Sequence, residues 1–101
     1  MSQLVTVKRV TIYTDDLMEE IVTQELGRLG AKGFSCTDCR GAGEHHVVQD
    51  LAVIRSRVRI ETIVQPTVAE AIMDFVQSPR FADRALTACI DSVEVSSEGR
   101  F

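Results

Sequence analysis

Between Arg55 and Thr62 charged and uncharged side chains alternate without a break: Arg55, Arg57, Arg59 and Glu61 fall on one set of positions, Val58, Ile60 and Thr62, and then Val64, on the other. A period of two is the signature of a strand with one wet face and one dry face. The chain must therefore build a sheet whose second face is covered by something else, and the neighbouring patterns show what covers it. Leu4 to Tyr13 is rich in β-branched residues and ends in alternation, Val10 and Ile12 facing one way and Thr11 and Tyr13 the other, so it reads as a strand. Thr14 suits a helix N-cap, with Asp15 and Asp16 in the first turn where the helix dipole favours anions. Leu17, Ile21, Val22, Leu26 and Leu29 then form one apolar stripe, and Gly30 stands where a C-cap glycine belongs.

Gly33 to Cys39 reads as a second strand running into Arg40-Gly41-Ala42-Gly43, followed by a polar, unpatterned stretch to about Asp50. After the third strand, Pro66 opens a second helix carrying Val68, Ile72, Phe75 and Val76, which Ser78-Pro79 ends. A last strand is expected from about Ala85 to Val95. Its apolar phase shifts between Ile90 and Val93, which predicts a bulge. The order strand, helix, strand, strand, helix, strand is the ferredoxin-like βαββαβ arrangement, an α+β sandwich with an antiparallel sheet and two helices on one face. The helix-free face, offering Ile and Val, is expected to meet another subunit. With 101 residues there is room for one domain, 1–101.

Charge and cysteine usage narrow the function. A net charge of −4 lacks the basic footprint of a nucleic-acid binder. No apolar run approaches the roughly 18 residues of a membrane span, so direct membrane insertion is not expected. The N-terminus lacks the basic start and apolar core of a secretory signal, and three cysteines, an odd number, fit a reduced compartment. The expected location is cytoplasmic. Cys36 and Cys39 are spaced C-x-x-C, but on a strand positions i and i+3 point to opposite faces. Cys39 with His45 or His46 could make a partial metal site; otherwise Cys36 is core, Cys39 incidental and the histidines solvated. No metal is expected, and no nucleophile, base or carboxylate pair suggests an enzyme.

Arg40-Gly41-Ala42-Gly43 is the candidate phosphate site. Glycines let backbone N–H groups approach an anion, and an arginine adds a planar cation. Two glycines after a strand also make an ordinary turn, and the residues alone leave both readings open. Arg84 is a second candidate cation or a plain surface arginine. The row Arg55, Arg57, Arg59 is a solvated face, an ion-pair partner across a subunit boundary, or a neutraliser of an anion at the loop's base.

Gly30-Ala31-Lys32-Gly33-Phe34, then Arg40-Gly41-Ala42-Gly43, then Val68-Ala69-Glu70-Ala71-Ile72, Phe81-Ala82-Asp83 and Val93-Glu94-Val95 together resemble the PII-like signal-transduction proteins, and most of all the carboxysome-associated members of inorganic-carbon regulation. The resemblance covers nearly the whole chain. It implies a homotrimer that binds an adenine nucleotide in the cleft between subunits at Gly33, Arg40, Gly41, Gly43, His45, Arg84, Ala85 and Leu86. It implies bicarbonate as a second ligand, and a T-loop of about 44–54 ordered by binding. A bicarbonate transporter or carboxysome-related protein is the implied partner. The chain departs from nitrogen-type PII proteins in its short T-loop, in having Tyr13 as its only tyrosine, and in a basic stretch reduced to Arg84. Those departures favour ADP or AMP over ATP with 2-oxoglutarate. The alternatives are a CutA-like trimeric metal-binding protein and a nitrogen-type PII regulator.

Overall fold

The structure is a computed structural model that describes residues 3–41, 56–82, 86–96 and 101. Gly43, His45, His46, Arg55, Arg84, Ala85 and the whole 44–54 segment lie outside the described residues. Four strands and two α-helices are described: β1 (Leu4–Asp15), α1 (Glu19–Leu29), β2 (Ser35–Arg40), β3 (Ser56–Val64), α2 (Pro66–Val76) and β4 (Thr87–Ser96). The strands form one antiparallel sheet in the order β2-β3-β1-β4. This is the expected ferredoxin-like arrangement.

β3 behaves as its alternation dictates: Val58, Ile60, Thr62 and Val64 are buried, while Arg57, Arg59 and Glu61 are not. Val10 and Ile12 of β1 join them, and Val22 and Leu26 of α1 with Ala69, Ile72 and Val76 of α2 close over that face. Pro66 opens α2 as expected, since its missing N–H costs nothing in the first turn.

Three expectations are corrected. Thr14 does not cap a helix. β1 runs two residues further, with Thr14 opposite Val58 and Asp15 opposite Arg57, and a 3-10 turn at Asp16–Met18 separates it from α1. Pairing within the sheet outcompetes the local capping signal, although it leaves the buried Thr14 Oγ1 without a hydrogen-bond partner among the described residues. Because α1 starts later, its buried stripe is Met18, Val22 and Leu26 at i, i+4 and i+8, whereas Leu17 and Ile21 are exposed. β4 carries no bulge: its register with β1 is continuous from Leu4↔Ser96 to Tyr13↔Thr87. The phase shift instead puts Ala88 and Ile90 on the helix-covered side and Val93 and Val95 opposite Val7 and Val5 on the other. Leu86 precedes the strand.

The helix-free face also differs from expectation. It is charged and polar through its middle, where Arg9, Thr11, Tyr13 and Asp15 face Asp91, Glu61, Arg59 and Arg57, and it turns aliphatic towards one end at Val5, Val7, Ile63, Val93 and Val95. Arg9 makes a two-pronged contact with Asp91 at 2.7 and 3.2 Å, which raises the arginine's pKa above its ordinary value.

Gly30 is the described residue whose backbone demands glycine. Its φ of 115° ends α1 in a Schellman motif, with Gly30 N–H donating to the Gly27 carbonyl and Ala31 N–H to that of Leu26. A Cβ there would sit 3.2 Å from Val68 Cγ2. Gly30→Ala should therefore cost about 1–2 kcal/mol of stability. Gly27→Ala meets open space inside a helix and should stabilise by about 0.5–1 kcal/mol. Urea unfolding midpoints moving in the same direction for both variants would contradict this cap.

Candidate functional site

β2 is an edge strand with a pocket at each end. Its five steps from Ser35 to Arg40 span about 17 Å at roughly 3.3 Å per residue. At the beginning of β2 lies a cleft of about 360 Å³ lined by Arg9, Lys32, Gly33, Phe34, Ser35, Glu61, Thr62, Ile63 and Phe101. Ile63 is the one aliphatic residue that β3 places on its charged face, opposite Arg9. Phe34 keeps half its surface open, at 50%. Thr62 is buried on the core side and donates from Oγ1 to the Gly33 carbonyl at 2.6 Å, which fixes the backbone at the lip of the cleft. No atom lies within 4 Å of where a Gly33 Cβ would be, so this glycine leaves room.

At the far end of β2 a second pocket of about 330 Å³ is lined by Asp16, Asp38, Cys39, Arg40 and Ser56. Gly41 follows directly, and its absent Cβ would make only ordinary contact with Arg57 Cδ at 3.9 Å. Its φ is not in the left-handed region, so the backbone conformation there does not itself require glycine. Two carboxylates against one guanidinium leave the described lining with a net negative charge. An anion held there needs cations from outside these residues.

The predicted site residues are thus spread. Gly33 and Arg40 stand at opposite ends of β2, with Gly41 just beyond Arg40. Leu86 enters β4 on the other edge of the sheet, three strand spacings or about 14 Å away. Gly43, His45, Arg84 and Ala85 lie outside the described residues. Sequence reasoning missed the other walls of the first pocket: Arg9, Lys32, Phe34, Ser35, Glu61, Thr62, Ile63 and Phe101. An aliphatic residue out of phase on a charged strand face was a readable signal for Ile63; Phe101 carried none.

The cysteines sit as their spacing required, Cys36 opposite Ile60 and Cys39 opposite Arg57 on the two faces of β2. Cys36 is exposed rather than core, because β2 is an edge strand; desolvation by its neighbours, then the charge of Glu19, pushes its thiol up from the ordinary pKa, favouring the neutral form. Among the described residues no three His, Cys, Asp or Glu side chains gather as a metal site.

The family model of nitrogen regulatory protein P-II matches residues 7–100. The chain belongs to the P-II family. A PII-like signaling protein from Thermus thermophilus is 35% identical to this P-II chain, covering 92% of each with a TM-score of 0.77. CPII from Thiomonas intermedia, a nitrogen regulatory PII-like protein whose structure holds ADP, AMP and bicarbonate, is 21% identical, covers 97% of this chain and 98% of its own, and has a TM-score of 0.78. The same protein with ADP and bicarbonate reaches a TM-score of 0.80 at 20% identity over 95% and 94%. No curated protein matches the P-II chain significantly. Within the described residues, no helix is long and apolar enough to cross a membrane.

Proposed function

We propose that this P-II-family chain is a regulatory subunit, not an enzyme, that binds ADP or AMP together with bicarbonate between the subunits of a homotrimer. Binding is relayed through the T-loop, about 44–54, to a bicarbonate transporter or carboxysome-related partner. The observation that carries the reading is the 360 Å³ cleft at the start of β2, where an open aromatic ring, an aliphatic residue and a vacant glycine position suit a flat purine. The same edge strand leads to Arg40 and Gly41, which suit a phosphate. Arg40 and Leu86 occupy opposite edges of the sheet, and the described lining of the pocket at Arg40 carries no net positive charge, which supports a site completed by a second copy. The ADP, AMP and bicarbonate in CPII support the same ligand set.

Calorimetric titration with AMP, ADP, ATP and cyclic AMP, each with and without bicarbonate, tests this. ADP or AMP should saturate one site per chain, tighter than ATP or cyclic AMP, and bicarbonate should strengthen the binding. Absence of heat with every adenine nucleotide would refute the reading. Sedimentation of the same sample should give three copies, and a monomer at micromolar concentration would rule out the inter-subunit site.

A further inference from the structure

Two of the chain's four phenylalanines are occupied with each other: Phe75 and Phe81 meet edge to face at 5.0 Å, and the Arg80 guanidinium lies 4.8 Å over the Phe81 ring. The other two, Phe34 and Phe101, line the same 360 Å³ cleft although they are far apart in sequence. Phe101 is tethered there, since Gln65 Nε2 donates to its carbonyl at 3.1 Å. Gln65 stands at the N-cap of α2, where a polar side chain ordinarily accepts from the helix N–H groups. It makes no such cap bond, and its Nε2 reaches out of the helix to Phe101. An aromatic ring offers a purine a large apolar face and little rotamer entropy to lose, and base–aromatic stacking is tolerant of which base is held.

We infer that Phe34 and Phe101 grip the purine by stacking, and that Gln65 is the positioning residue that keeps Phe101 at the cleft. The inference rests on the nucleotide reading above and deepens it. It assigns selectivity for a flat heteroaromatic ring to two residues from distant parts of the chain, and it makes ring contact independent of the phosphates.

The test is titration of the full chain with ADP and with adenosine, before and after substitution. Phe101→Ala should weaken both ligands by the same factor, roughly five- to a hundredfold, the range that base–aromatic stacking spans. The chain has no tryptophan, so Phe101→Trp supplies a single indole. That variant should restore tight binding, and its emission should change on saturation with adenosine. Adding Gln65→Ala to it should shrink that change while leaving the urea midpoint in place. Wild-type or tighter affinity in Phe101→Ala would overturn the inference, tighter binding meaning that the ring occupies the purine's own place. So would an indole blind to saturating adenosine. If the unsubstituted chain binds neither ligand, the nucleotide reading itself falls, a result seen before any variant is made.

Discussion

Ile12→Ala should lower the unfolding free energy by about 2–5 kcal/mol, the range for truncating a buried isoleucine. Ile12 has no exposed surface and sits in β1, the inner strand flanked by both β3 and β4, opposite Ile60 on one side and Ala88 on the other. The α1 and α2 side chains above it belong to the same buried cluster, so a void left beneath them closes only in part. A domain this small holds a total of about 5–15 kcal/mol, and the substitution removes a large share of it. Urea unfolding should show a lower midpoint at an unchanged slope. Ile21→Ala is the matched comparison. The apolar stripe in the sequence would place Ile21 in the core, but its 43% exposure predicts a change within about 0.5 kcal/mol. Equal losses for the two variants would show that the helix is packed in the other phase.

The two ends of β2 should separate on substitution. Arg40→Ala removes one charge-assisted contact to phosphate, typically about 1.5–3 kcal/mol or on the order of tenfold to a hundredfold in affinity. The loss should appear with ADP and vanish with adenosine, which has no phosphate to hold. Gly33→Val should act on both ligands alike. Nothing lies within 4 Å of its new Cβ, so the fold accepts it, yet the branched side chain enters the cleft where the purine is placed. A loss of about tenfold or more, with the urea midpoint unchanged, is the expected result. If Arg40→Ala weakens adenosine as much as ADP, the phosphates are misplaced; if Gly33→Val binds both normally, the base is.

What could be read from the sequence follows from how strongly each segment's two sides differ. β3 was legible residue by residue because one face is dry and the other carries Arg57, Arg59 and Glu61. The end of β1 was not. Thr14-Asp15-Asp16 looks like a helix start, and only partners some 40 residues away, Val58 and Arg57, make it strand. The phase of α1 was lost with it, because moving the start exchanges Leu17 and Ile21 for Met18. β4 misled for a different reason: as an edge strand with little buried on either face, it has no dry side to set its rhythm. The motif around Arg40 and Gly41 gave the order of site residues along the chain, but not the separation that the sheet imposes between Gly33, Arg40 and Leu86. Phe101 was invisible because its place depends on one contact across 36 positions.

The inner position of β1 also fixes when the molecule can be completed. Lys8 reaches Ser92 across 84 positions of chain, so β1 finds its β4 partner only after nearly everything between them has left the ribosome. Contacts this distant carry a loop-closure cost and slow folding. Until then β1 can pair only with β3, and its other edge is an open row on a stretch of β-branched residues, the kind that pairs with other copies of itself. Lys8 and Arg9, set in the middle of that stretch, act as gatekeeper charges against such pairing. Once β4 arrives, the same two side chains become cross-strand bonds to Ser92 and Asp91, so the residues that guard the nascent strand also close the finished sheet.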